Sequence, residues 1–206
     1  MVHSRTARVA TIVLALALVG ALAVGLAGCG PEEAAETSTP SGTARAGLDV
    51  ARSALETMAP DAKLLVVQTA QAATPADVPV WAYLFGSPST DLTYLVYVTN
   101  GTVMTASEYG TAGLDADEWE LVPGVEDWVV DSDQAYQSAL DVSGASGDPN
   151  AYYMGLQTYL PRAMEASATG EAFIWYVYFD PGASGATTST IQVDAATGEA
   201  SLAEGQ

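Results

Sequence analysis

One order of segments occurs twice in this 206-residue chain. Each copy has a helical stretch, three runs with strand character, a turn and a short fourth run. A repeat of this kind constrains architecture more than any single element does. In the first copy, residues 48–58 place Leu48, Ala51, Leu55 and Met58 on one helical stripe. Asp49 lies in the first turn, where an acid suits the helix dipole, and Pro60-Asp61 ends the helix. Strands are expected over 63–71, 80–85 and 92–99, with Trp81, Tyr83 and Phe85 on one face at period two. Asn100-Gly101 is a tight hairpin turn, leading to a fourth strand over 102–109.

The second copy opens at Asp131-Ser132-Asp133, read as cap and first-turn residues of a helix carrying Ala135, Tyr136, Ala139 and Leu140. A loop over 143–150 precedes strands expected over 156–164, 172–180 and 187–194. A turn over 195–198 then leads to a last strand over 199–202. The details correspond. Trp81-x-Tyr-x-Phe85 matches Trp175-x-Val-x-Phe179, and Val96-x-Val98 matches Ile191-x-Val193. A unit of about 60–75 residues is marginal for core size, so two units are expected to pack together. The predicted fold class is α+β, each repeat an antiparallel sheet with a helix on one face. The first repeat covers 48–112. A connector and the second repeat cover 113–206.

The αβββ unit ending in Ile191-Gln-Val-Asp-Ala-Ala-Thr-Gly-Glu199, after Trp175-Tyr-Val-Tyr-Phe179, resembles the PepSY (cystatin-like) domain. The first repeat carries Thr99-Asn-Gly-Thr102 at the corresponding turn. The resemblance implies a small extracytoplasmic module that binds without catalysis, by peptidase inhibition or by interaction at the cell envelope. It brings no catalytic residue with it.

Residues 1–28 have the anatomy of an export signal. His3, Arg5 and Arg8 make a basic start, and residues 9–26 are an uncharged apolar run. Leu26-Ala27-Gly28-Cys29 resembles the bacterial lipobox. That resemblance implies cleavage between Gly28 and Cys29 and lipidation of Cys29. Two or more acyl chains hold a protein at a membrane where one does not. An uncleaved anchor or a plain secretory signal are the alternatives. Residues 29–47, rich in Pro, Gly, Ser, Thr and Glu and poor in large apolar side chains, read as a flexible tether. The expected location is extracytoplasmic, lipid-anchored to the bacterial cell membrane.

The only histidine is His3 and the only cysteine is Cys29. A chain starting at Cys29 therefore has no Ser-His-Asp or Cys-His catalysis, Cys/His zinc site, His-ligated haem or disulfide. It has four basic residues (Arg45, Arg52, Lys63, Arg162) against 25 acidic ones, a net of −21. That field repels nucleic acid. The densest acidic run, Asp115-Ala-Asp-Glu-Trp-Glu120, lacks the spacing and turn glycine of a calcium loop. No metal and no cofactor are expected.

Three residues are candidates for partner binding. Trp81 and Trp175 suit peptide or glycan contact on an exposed sheet face; on a covered face they are core. Arg162 either anchors an anionic group or pairs with one of the chain's own acids. Trp119 and Trp128, in the connector, are placed to pack the repeats together. The expected function is a membrane-anchored, non-catalytic binding module with a protein or peptide partner in the envelope. A small-ligand or lipid carrier and a carboxylate-based hydrolase are the alternatives.

Overall fold

The computed structural model describes residues 42–69, 80–143, 151–158, 173–180 and 189–203. Strands β1 (Lys63–Thr69), β2 (Trp81–Ser87), β3 (Leu92–Thr99) and β4 (Thr102–Thr111) come from the first half of the chain. The second half supplies β5 (Ala151–Thr158), β6 (Phe173–Asp180), β7 (Ser189–Asp194) and β8 (Ala200–Leu202). They form one eight-stranded antiparallel sheet in the order β4-β3-β2-β1-β5-β6-β7-β8. The fold is α+β: a large antiparallel sheet with few helices. The sequence leaves open whether the halves form one sheet or two; they form one. β1 and β5 pair through Val66↔Gln157, Val67↔Leu156 and Gln68↔Gly155 and join the halves edge to edge. The physical reason is that pairing two edges satisfies backbone groups that separate sheets would leave open.

The halves agree in register. Trp81 pairs with Val98 and Tyr83 with Val96; Trp175 pairs with Val193 and Val177 with Ile191. Both hairpin turns follow local chemistry. Asn100 and Gly101 have positive φ (48° and 68°), as a two-residue turn demands. In the other half the Asp194 carboxylate accepts from the Ala196 and Thr197 amides, both at 2.8 Å. Gly198, at φ 79°, closes that turn.

Helix α1 (Leu48–Ser53) is shorter than the stripe suggests; residues 54–58 continue in tight turns. The Leu55 amide bonds to the Arg52 carbonyl at 2.9 Å, and Leu55 still reaches the core. Helix α2 (Ala116–Leu121) lies in the connector, and α3 (Ser132–Ser143) opens the second half. The strand expected over 156–164 is observed earlier, as β5; residues 159–164 lie outside the described residues.

Leu48 and Ala51 of α1 and Ala135 and Ala139 of α3 share one core with Trp81, Tyr83, Phe85, Trp175, Val177 and Phe179. The opposite face carries a helix too, which corrects the picture of one covered face. A bulge in β1 between Leu64 and Val66 re-aims Leu65 away from that core. Leu65 meets Trp119 and Val122 in a second cluster. Trp119 also packs over Gly86, where an added Cβ would lie 2.9 Å from Leu65 Cδ1 and 3.2 Å from Trp119 Cζ3. The Lys63 ammonium donates to the Trp119 carbonyl at 2.8 Å, satisfying the end of α2.

The segment 42–47 belongs to this folded body rather than to the tether. The Trp81 indole donates to the Gly42 carbonyl at 2.8 Å. The Tyr83 hydroxyl donates to the Ala44 carbonyl. The Ala44 amide donates to Ser132 Oγ and the Arg45 amide to Asp131 Oδ1, each at 3.0 Å. Six residues are thus clasped by β2 on one side and by the start of α3 on the other.

Candidate functional site

Trp81 and Trp175 are core residues, 3% and 0% exposed. They meet edge-on, with centroids 6.5 Å apart, and Trp175 meets Trp128 in the same manner at 5.7 Å. The Trp128 and Trp175 indoles both donate to the Val130 carbonyl at 2.8 Å. Their polar atoms are satisfied inside the body, so neither tryptophan offers an exposed partner surface. The reason is that β2 and β6 turn this face toward both α1 and α3. Of the two connector tryptophans expected to pack the repeats together, Trp128 meets Trp175 of the second half, and Trp119 packs with Leu65 of β1 and Gly86 of β2 in the first. Arg162, Gly28 and Cys29 lie outside the described residues.

The acidic runs serve helix starts. Asp115 and Glu118 form a reciprocal capping box, the Glu118 amide donating to Asp115 Oδ1 at 3.0 Å and the Asp115 amide to Glu118 Oε2 at 2.9 Å. Asp131 precedes α3; its carboxylate takes the Ser132 amide at 2.7 Å and its own amide donates to Gln134 Oε1 at 3.2 Å. Among the described residues, no group of three His, Cys, Asp or Glu side chains is placed to hold a metal ion.

The surface that stands out is the outer edge of the sheet. β4 closes the order at one end with ten residues, while β8 closes the other with three. An edge strand presents unpaired N–H and C=O groups to any incoming chain. Every residue of β4 is exposed or half-buried. Two irregularities break its ladder with β3. Tyr97 pairs with Thr105 and Val98 with Val103, leaving Met104 extra; Thr93 pairs with Gly110 and Tyr94 with Glu108, leaving Tyr109 extra. Bulges at an edge bend the strand and re-aim side chains. The two bulge residues are the exposed apolar ones, Met104 at 56% and Tyr109 at 40%. Between them, 105–108 forms a regular stretch whose one charge is Glu108. Burial, and then neighbouring Tyr109, push the Tyr97 phenol above its ordinary pKa.

Nothing in the sequence marks this pair of bulges. Residues 102–109 read as a fourth strand, but bulges depend on how β3 and β4 register, which is a property of the pair.

Comparison with protein-family models and with curated proteins finds no match. Among solved structures, the chain is similar to a "putative lipoprotein" from Clostridium difficile 630, with TM-score 0.48 and 13% identity over 79% of this chain and 90% of that one. Among the described residues no helix is long and apolar enough to cross a membrane.

Proposed function

We propose that this chain is a lipid-anchored, extracytoplasmic binding module of two PepSY-like halves, which engages a protein partner without catalysing a reaction. The anchor in this reading is Cys29, in Leu26-Ala27-Gly28-Cys29. Of the expected tether 29–47, the segment 42–47 belongs to the body. The observation that carries the binding role is the long β4 edge, with Met104 and Tyr109 displayed at its two bulges. Aromatic and methionine side chains are favoured anchors in protein interfaces. Backbone groups between them add affinity by pairing with a partner strand. With a peptidase as partner, binding that covers its substrate cleft would make the module peptidase-inhibitory.

The test uses two arms. The body 42–206 and its Met104→Glu/Tyr109→Glu variant are each used to retain proteins from envelope extract at physiological salt. A protein retained by the wild type and lost with the variant, at equal melting temperature, supports the edge as the binding surface. Equal retention by both, or none by either, refutes it. Separately, Cys29→Ala in the full chain is expected to move the protein from the membrane pellet to the supernatant. A variant that stays in the pellet overturns the anchor.

A further inference from the structure

The helices leave the middle of their face of the sheet to other parts of the chain. Helix α1 packs chiefly on β3 and β4, and α3 on β6, β7 and β8. Over β2, between them, lie residues 42–47, Gly-Thr-Ala-Arg-Ala-Gly. This segment is neither helix nor strand. It is held through its main chain, by side chains of other elements. The Trp81 indole and the Tyr83 hydroxyl donate to its carbonyls at 42 and 44. Ser132 Oγ and Asp131 Oδ1 accept from its amides at 44 and 45. Trp81, Tyr83 and Ser132 are 3%, 0% and 0% exposed. Four backbone groups of a short segment are thus read by a built, largely buried set of side chains, drawn from both halves of the chain.

The same trough sorts side chains. Ala44 is itself 0% exposed, so a larger residue there has no room. Arg45 is exposed, and its guanidinium carbon stands 5.7 Å from the centre of the Trp128 ring, within cation–π range. A net charge of −21 on the chain from Cys29 draws a basic peptide toward it. The segment also shapes itself: Thr43 Oγ1 accepts from the Ala46 amide at 3.4 Å, a local turn that a free peptide can form.

We propose that this trough is a peptide-binding site, occupied in the resting protein by the chain's own residues 42–47, which it exchanges for a free peptide of pattern Gly-x-Ala-Arg. Covalent attachment gives the resident segment an effective concentration of about a millimolar, so it acts as an autoinhibitory occupant. The site is independent of the β4 edge and of the lipid anchor.

Exchange requires the segment to open while the body stays folded. Native-state hydrogen exchange on the chain 30–206 is expected to show the Ala44 and Arg45 amides exchanging at least about tenfold faster than the core amides of β2 and β3. Exchange of all of them together, at the rate of global unfolding, overturns the proposal. The probe for binding is the acetylated and amidated peptide of residues 40–46. It is added to the Ala44→Asp variant of the same chain, whose buried carboxylate expels the resident segment. Ala44→Val, a milder expulsion, serves if the carboxylate unfolds the body. Saturable return of the Trp81 indole N–H resonance to its wild-type position is expected by NMR at millimolar peptide or below. The peptide carrying Arg45→Gln is expected to bind about threefold more weakly, through loss of the contact with Trp128, and the peptide carrying Ala44→Leu not at all. No saturation at millimolar peptide overturns the proposal. Equal binding of either altered peptide does so as well.

Discussion

Replacing Tyr83 by phenylalanine removes one oxygen from the interior and isolates the clasp on residues 42–47. The ring stays packed. An added Cβ at Gly47 would lie 3.2 Å from Tyr83 Cζ, so the glycine and the ring fill the same site. Tyr83 and Ala44 are both 0% exposed. Without the hydroxyl, the Ala44 carbonyl is left buried and unpaired, which costs about 1–3 kcal/mol. For a body of this size each kcal/mol lowers Tm by about 2–4 °C, so the expected fall is about 2–12 °C. The reasoning is tested by a double-mutant cycle, with Tyr83→Phe measured by thermal unfolding in chains starting at Gly42 and at Leu48. In the shorter chain Ala44 is gone, and the same substitution is then neutral or stabilising. An equal loss in both chains would mean that the hydroxyl works through something other than the clasp. The alkaline limb offers a second readout. Burial, and then the Asp131 charge, raise the Tyr83 phenol above its ordinary value near 10. The neutral form is thus favoured in the folded state. That contribution is complete below pH 10 and is lost as pH rises above it, so Tyr83→Phe flattens alkaline unfolding.

Three further outcomes follow from single contacts. Gly86→Ala drives a methyl into Trp119 and Leu65 and is expected to cost about 1–3 kcal/mol by urea unfolding, with a change in tryptophan fluorescence. An unchanged midpoint would show that α2 is not docked on that face. Asp61 is pushed up by burial, but hydrogen bonds from the Ser87 hydroxyl (2.7 Å) and the Ser89 amide (2.8 Å) outweigh this and lower its pKa. Its contribution is present above about pH 4 and is lost as pH falls through the lowered folded value, so Asp61→Asn flattens the acid limb of a urea-midpoint profile. Ser132→Ala leaves the Ala44 amide without its acceptor in a fully buried site, and is expected to cost about 1–3 kcal/mol in the chain from Gly42 but not in the chain from Leu48.

What could be read in advance was local. Period-two alternation in Trp81-x-Tyr-x-Phe85 and Trp175-x-Val-x-Phe179 sorts those side chains onto one face. Asn100-Gly101 and Gly198 supply positive φ where turns need it. Asp115 and Asp131 cap helices with their own neighbours. In each case the deciding contacts lie within a few residues. β5 escaped its correct range because Gly155 interrupts its apolar run, and glycine weakens a strand taken alone. Its pairing with β1 and β6 supplies what its propensity lacks.

Alternation separates two faces of a strand but does not say which one is covered. Alternation alone therefore allows Trp81 and Trp175 either place; α1 and α3, which share the core that encloses both, make them core. The same holds for the clasp. Residues 42–47 have the composition of a tether, yet bonds from β2 and from the start of α3, up to 88 positions away, draw them into the body. The bulges at Met104 and Tyr109 arise only when β3 and β4 come into register. Local chemistry determined which elements form and where they turn. Edge pairing, face selection and the β4 binding surface were decided by contacts between elements, because burial and register belong to pairs of elements.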